Sequence, residues 1–146
     1  MIMINPDQPA NLPRRVDLRR RPHLGLSEWM LSVATHFHPE DRILLEAIFR
    51  EGATVGTVAA LRGVSRYTIS RRVRQLTRRA TDERFVWAAG CLTEWPALRA
   101  EVARACILRG IPLRDAATQL MVSQHTVRNE LAVINALFRE SQGVDA

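Results

Sequence analysis

The residues best suited to chemistry in this 146-residue sequence are its arginines, which number 21, and there is no lysine. A guanidinium group is planar and binds two acceptor atoms at once, which suits phosphate oxygens and the edge of guanine. Residues 1–80 hold 14 arginines and 7 acidic residues, a balance of +7, whereas residues 81–146 hold 7 and 8, a balance of −1. We therefore expect a polyanion, most simply nucleic acid, to bind the first half.

Two arginine clusters account for this excess, and they lie in segments of different character. The first lies in residues 1–26, a proline-rich segment without helical periodicity that we predict to be a flexible basic arm; its members are Arg14, Arg15, Arg19, Arg20 and Arg21. Such an arm could lie in a DNA minor groove, or it could attract DNA as a solvated tail. The second cluster falls in a predicted helix and comprises Arg66, Arg71, Arg72, Arg74, Arg78 and Arg79. A solvated charged face is the simpler alternative for the clusters.

No other group of reactive residues has the spacing of a known catalytic or metal site. Four residues could be imagined as zinc ligands, but their spacing is not that of a finger or a knuckle: His36, His38, Cys91 and Cys106. No Ser-His-acid or Cys-His arrangement has a scaffold in the sequence, and no glycine-rich phosphate loop occurs. We therefore predict no enzymatic activity, no metal, no cofactor and no small-molecule ligand.

Cysteine usage and hydropathy indicate where such a protein works. Two cysteines imply no disulfide framework, which is typical of a reducing compartment. No apolar run approaches the ~20 residues that cross a bilayer, and the apolar start of the chain leads into Asn5-Pro6-Asp7 rather than a signal-peptide core. The prediction is a cytoplasmic, nucleoid-associated protein without a membrane partner.

Apolar residues recur at helical spacing through most of the chain, and no stretch alternates as a strand would, so the predicted fold class is all-α. Ser27, Thr54 and Ser65 are typical N-caps, while Gly52 and Gly63 are typical helix ends. The predicted helices span residues 27–35, 39–52, 54–63, 65–79, 81–88, 96–108, 112–120 and 123–139.

The second half of the chain repeats the first when it is shifted by 58 residues without a gap. Six identities fall between residues 39 and 80, where Ala47, Gly52, Ala59, Val64, Ser65 and Thr68 match Ala105, Gly110, Ala117, Val122, Ser123 and Thr126. Cys106 matches Ile48, which predicts a buried thiol. We therefore predict two three-helix units in tandem, 27–80 and 96–140, with a helical linker, 81–95, between them and a tail, 141–146. A solenoid is excluded, because the period is too long and the copies too few.

Each unit contains the residues that a helix-turn-helix needs: a small residue where two helices cross, a tight turn, and a capped second helix. Residues 58–73 read VAALRGVSRYTISRRV and resemble the helix-turn-helix of lac-repressor-type regulators. Residues 39–80 are also similar to region 4 of bacterial sigma factors. Residues 113–131 resemble the turn shared by sigma region 4 and two-component response regulators, except that Met121 replaces the turn glycine. Because glycine adopts the conformation of this turn most easily, the departure bears on the backbone geometry expected of the second turn.

The resemblance implies that the second helix of each unit enters the DNA major groove and carries the contacts. In the first unit, it implies base contacts from Arg66, Tyr67 and Arg71 and phosphate contacts from Ser65, Thr68 and Ser70. Arg72, Arg74, Arg78 and Arg79 are spread too far along and around the helix for all to face the groove, so some should contact the DNA backbone. In the second unit the corresponding DNA-binding residues are Ser123, Gln124, His125, Thr126, Arg128 and Asn129.

These patterns favour three functions. The first is sequence-specific binding of double-stranded DNA by a transcription regulator, using two units or a homodimer of them. The second is a sigma-like adaptor, in which one unit binds promoter DNA and the other binds RNA polymerase or another protein. The third is a DNA-organising, partition or recombination accessory protein. Use of helix-turn-helix folds for protein contact alone is a fourth alternative.

Overall fold

A computed structural model of the protein describes residues 24–143, and in this range it contains eight α-helices and no strand. The predicted all-α fold class is confirmed. The chain divides into two compact units between Glu83 and Arg84. No helix in the described range is long and apolar enough to span a membrane.

The first unit contains, within residues 24–83, helices α1 (Leu24–Val33), α2 (Pro39–Phe49), α3 (Val55–Arg62) and α4 (Arg66–Ala80). A 3-10 turn, Ala34–His36, follows α1. The core is mainly aliphatic, and its buried side chains include Met30, Val33, Leu44, Leu45, Ile69 and Leu76. These residues recur three or four positions apart within their helices, so each helix turns one apolar face inward.

Helix α1 begins at Leu24, earlier than predicted, and Ser27 lies inside it rather than at its N-cap. Leu26, Trp29 and Val33 are buried on one side of the helix. The indole Nε1 of Trp29 also donates a hydrogen bond to the carbonyl oxygen of Ala80 at 2.7 Å. Tertiary packing therefore outweighs the local cap signal of Ser27. Residues 24–26, which the sequence assigned to the arm, belong to α1, and the arginines of the arm lie outside the described residues.

The second unit begins at Arg84, inside α5 (Glu83–Cys91), and includes α7 (Leu113–Leu120) and α8 (Gln124–Ser141). Between α5 and α7 lies α6 (Ala97–Val102), which continues as a π-helical segment, Ala103–Leu108. Trp87 of α5 contacts Trp95 and Phe138, with ring centroids 5.3 and 5.2 Å apart. The predicted linker, 81–95, therefore contributes a packed helix to the second unit.

The backbone of the two units repeats with the same 58-residue shift as the sequence. Gly52 and Gly110 both have φ 71°. The amides of Ala53 and Ile111 donate to carbonyls six residues earlier, at 2.9 Å in each unit. Helices α2, α3 and α4 thus correspond in order to α6, α7 and α8.

Candidate nucleic-acid interface

The turn between α3 and α4, residues 63–65, has the compact geometry that its sequence predicts. Gly63 adopts a left-handed conformation, with φ 68° and ψ 32°, which costs a glycine little because it lacks a Cβ atom. The amide of Val64 donates to the carbonyl of Ala59 at 3.0 Å. Ala59 is buried, so a small side chain stands at the start of this turn. These contacts fix the direction in which α4 leaves the turn.

The turn between α7 and α8 has the same geometry although Met121 stands in place of glycine. Met121 adopts φ 59° and ψ 41°, and the amide of Val122 donates to Ala117 at 3.0 Å. The side chain of Met121 is 90% exposed, so the left-handed conformation directs it into solvent. A left-handed conformation is unfavourable for a residue with a side chain, by ~1–2 kcal/mol. The sequence departure therefore costs energy without changing the geometry of the turn.

Serine hydroxyls cap the two helices that follow these turns. The Oγ of Ser65 accepts a hydrogen bond from the amide of Thr68 at 3.1 Å, and the two side-chain oxygens lie 2.9 Å apart. Ser123 and Thr126 repeat both distances at the start of α8. These four residues were predicted to contact DNA. In the structure their first role is to cap the helices and satisfy amides that the helix leaves unpaired.

Helix α4 presents one apolar face and one basic face. Ile69, Val73 and Leu76 lie on the inner side, where Ile69 and Leu76 are buried. Four exposed residues lie opposite, within about 60° of one another around the helix. We call them the α4 arginine face: Tyr67, Arg71, Arg74 and Arg78. Among the described residues, the three arginines form no ion pair or hydrogen bond through their side chains, so their guanidinium groups remain available.

Arg66, predicted to contact a base, lies at the edge of this face. A methyl group at Gly56 would be 3.4 Å from Nε of Arg66, so the guanidinium group lies over the first turn of α3. Ser70 is half-buried and lies beside the arginine face. Both residues can reach a ligand on this side of α4, but neither lies at the centre of the exposed face.

Arg72, also predicted to bind DNA, is held inside the first unit by Asp41 of α2. Its Nε lies 2.8 Å from Oδ1 and its Nη2 lies 2.5 Å from Oδ2, which makes the ion pair bidentate. The hydrogen bond to Asp41 raises the pKa of the Arg72 guanidinium above its ordinary value. Because Nε and Nη2 of Arg72 already donate to the carboxylate of Asp41, this guanidinium group is not a candidate for DNA contact.

Helix α8 has a different outer face. The positions that correspond to the α4 arginine face form what we call the α8 face: His125, Asn129, Ala132 and Ala136, all exposed. Nε2 of His125 and Nδ2 of Asn129 are 3.1 Å apart. Gln124 is exposed at the start of the helix, and Arg128 is exposed beside the face. The predicted base contacts of this unit therefore lie in its first turns, and the face beyond them is small and uncharged.

The two units differ in net charge as well as in its distribution. Residues 1–83 hold 14 arginines and 9 acids, a balance of +5, and residues 84–146 hold 7 and 6, a balance of +1. The described parts of the two units, residues 24–83 and 84–143, each have a balance of +2, so most of the difference comes from residues 1–23. Helix α4 carries six arginines and no acid, whereas α8 carries two arginines and two glutamates.

A second ion pair, which the sequence analysis also missed, joins α6 to α8. Nε of Arg99 lies 2.8 Å from Oε2 of Glu130. Arg99 and Glu130 occupy the positions of Asp41 and Arg72 in the repeat, so the two pairs have opposite polarity. Both ion pairs could have been found in the sequence by comparing the charges of residues that correspond in the repeat.

The histidines and cysteines form no metal site in the described part of the chain, where no three residues of the metal-binding types cluster. His38 caps α2, since its Nδ1 accepts a hydrogen bond from the amide of Glu40 at 3.3 Å. Cys106, predicted to be buried, is only partly so. Burial raises the pKa of its thiol, and burial together with the charge of Glu94 raises the pKa of Cys91 to about 11.

Comparison with protein-family models, with curated proteins and with solved structures gave no match.

Proposed function

We propose that the protein binds double-stranded DNA in a sequence-specific manner, through the major groove, and acts as a transcription regulator. In this proposal α3 and α4 form one helix-turn-helix, and α7 and α8 form another. The single observation that carries it is the α4 arginine face, where guanidinium groups without a partner among residues 24–143 line one side of a helix that follows a tight, capped turn.

The dimensions of the α4 arginine face suit a duplex. An α-helix with its side chains is about 10–12 Å across and the major groove is about 12 Å wide, so α4 fits into the groove, and it rises by about 16 Å from Tyr67 to Arg78. Tyr67 and Arg71 lie in the first turns, where residues of a recognition helix meet base edges. Arg74 and Arg78 lie farther along, where they would contact phosphates and add affinity without sequence information.

The second unit supports a narrower role. Gln124 and Asn129 have amide groups that pair with adenine, and Arg128 suits guanine. The outer face of α8 lacks the arginines that would bind phosphates, so this unit would add base selectivity more than affinity.

A sigma-like adaptor is the second candidate function, and the α8 face is the observation that favours it. Ala132, Val133 and Ala136 are exposed on α8 and offer a small apolar surface where α4 carries charge. In this alternative the first unit binds promoter DNA and the second contacts RNA polymerase or another protein. A homodimer on DNA is a further arrangement that this surface would suit.

Selection of fragmented genomic DNA by the purified protein, followed by sequencing, tests the proposal. The protein should retain fragments that share a motif, and Arg71→Ala/Arg74→Ala should lose it. Arg42→Ala/Arg50→Ala is the matched control, because it removes the same charge from two exposed residues, one in α2 and one at its C-cap, that pair with Glu46. Retention without a motif would favour the DNA-organising alternative, and no retention would contradict DNA binding.

A further inference from the structure

The ion pairs Asp41–Arg72 and Arg99–Glu130 occupy equivalent positions in the two repeats, but their charges are exchanged. In each pair the partners are 31 residues apart, and a 2.8 Å hydrogen bond from Nε to a carboxylate oxygen joins them. The acidic partner lies on α2 in the first unit and on α8 in the second. The same structural contact is therefore made twice with opposite polarity.

Both pairs are placed where they affect how the helices pack. One pair links α2 to the second helical turn of α4, and the other links α6 to the second helical turn of α8. The Asp41 side chain is 12% exposed and its Arg72 partner 48%; Arg99 and Glu130 are 23% and 22% exposed. Asp41, Arg99 and Glu130 are mostly buried, so their charges are weakly screened and a like-charged partner beside them is unfavourable.

The similarity of the two units creates a pairing problem during folding. Their turns have the same conformation, their caps the same hydrogen bonds, and their apolar positions correspond. Repeats of this kind can misassemble by exchanging helices, within one chain or between two copies. Side-chain size distinguishes α4 from α8 at some positions, such as Ala80 and its counterpart Phe138, and charge can distinguish them at others.

The polarity of the ion pairs supplies this discrimination. If α8 packed on α2, Glu130 would face Asp41, and if α4 packed on α6, Arg72 would face Arg99. Each exchange would break an ion pair and bring two like charges together in a partly buried site. We propose that the opposite polarity of the two ion pairs directs α4 and α8 each to pack within its own repeat, and so prevents exchange between repeats and between copies of the chain.

Three variants of the full-length protein test this inference. Asp41→Arg/Arg72→Glu reverses the first pair, and Arg99→Asp/Glu130→Arg reverses the second. Either double variant keeps two ion pairs but gives them the same polarity, so correct and exchanged packing become electrostatically equal. The quadruple variant reverses both pairs and restores opposite polarity, which makes it the matched control.

The variants would be unfolded in urea and refolded over a range of protein concentrations. The misassembled fraction would be measured by size-exclusion chromatography with light scattering, and helix content by circular dichroism. Both double variants should yield a misassembled or dimeric fraction larger by about tenfold, since like-charge contacts no longer oppose exchange. The quadruple variant should return to the level of the parent protein.

Each outcome either supports or overturns the inference that ion-pair polarity prevents helix exchange. Double variants that refold like the parent would overturn the inference, because polarity would then have no effect. A quadruple variant that misassembles as much as the doubles, or fails to fold, would also overturn it, since the substitutions would then act by local disruption. Doubles that fail to fold beside a quadruple that folds would support it. The inference does not depend on DNA binding, and refolding is measured without DNA.

Discussion

Gly63 and Met121 occupy the same left-handed backbone position in the two turns, but only glycine is suited to it. The side chain of Met121 lies in solvent and gains no packing in return for its strained conformation. At the scale of single residues, the second turn therefore stores energy that the first does not.

Replacing Met121 with glycine should stabilise the protein. Relief of the left-handed strain exceeds the extra chain entropy that glycine loses on folding, so we expect the free energy of unfolding to rise by about 0.5–1 kcal/mol. Gly63→Ala, the converse change, should lower it by about 1–2 kcal/mol. Urea denaturation followed by circular dichroism measures both. An unchanged or lower stability for Met121→Gly would show that its conformation is not strained.

Arg71 and Arg78 share one face of α4 but should differ in their effect on DNA binding. Arg71→Ala should cost ~1–3 kcal/mol on the preferred site and relax base preference, because it removes a base contact. Arg78→Ala should weaken all sequences similarly and reduce the slope of log K against log salt by about 0.9. Titrations of specific and random duplexes at several salt concentrations measure both quantities. Equal effects of the two substitutions would contradict the assignment of roles.

Cys91 should react slowly with alkylating reagents in the folded protein. Its pKa is raised from 9.0 to about 11, so the thiolate at pH 8 should be about 100-fold scarcer than in the unfolded chain. The same shift contributes stability below pH 9 that is lost as the pH rises through 11. Rates of iodoacetamide labelling, with and without urea, measure this in a Cys106→Ser background. Equal rates in the two conditions would contradict it.

At the scale of helices, the contrast between α4 and α8 is one of outer faces on similar scaffolds. Both helices follow a three-residue turn and a serine cap, and both bury an apolar side, with Ile69 in one and Val127 in the other. The two helices differ in their outer faces, which are the α4 arginine face and the α8 face. The shared features hold each helix in place, and the outer faces are where the two helices differ in charge.

This contrast predicts that phosphate contacts can be transferred to α8. Ala132→Arg/Ala136→Arg places arginines at the positions of Arg74 and Arg78, and should steepen the slope of log K against log salt by up to about 1.8. Thr93→Arg/Ser141→Arg adds the same charge at exposed positions off the face and serves as control. Equal slopes for the two variants would indicate that the α8 face does not approach DNA.

Helix positions governed by local signals could be predicted from the sequence, while those governed by tertiary contacts could not. Thr54, Ser65 and Gly63 mark the bounds of α3 and α4 correctly, because caps act on neighbouring residues. The start of α1 was missed, since packing around Trp29 determines it. The ion pair of Arg72 was also missed, because its partner lies 31 residues away and no helical period connects them.

At the scale of the molecule, the described parts of the two units have equal net charge but present it differently, and this predicts a composite DNA site. If both units bind DNA, a footprint of the parent protein should show two protected segments. Arg71→Ala/Arg74→Ala should remove one segment, and Gln124→Ala/Asn129→Ala the other. A footprint that Gln124→Ala/Asn129→Ala leaves intact would favour the adaptor, with the second unit binding a protein.

The opposite polarity of the two ion pairs also constrains how such a chain can have evolved. If the units descend from a duplicated ancestor, both copies began with the same polarity, and one pair was later inverted. Inversion one residue at a time would pass through two like charges in a partly buried site, a state costly enough to unfold a marginally stable protein. An uncharged polar pair, such as Asn opposite Gln, would avoid that state as an intermediate. If polarity prevents helix exchange as proposed, selection for it would act from the moment of duplication, and this inversion would be among the first substitutions to separate the two copies.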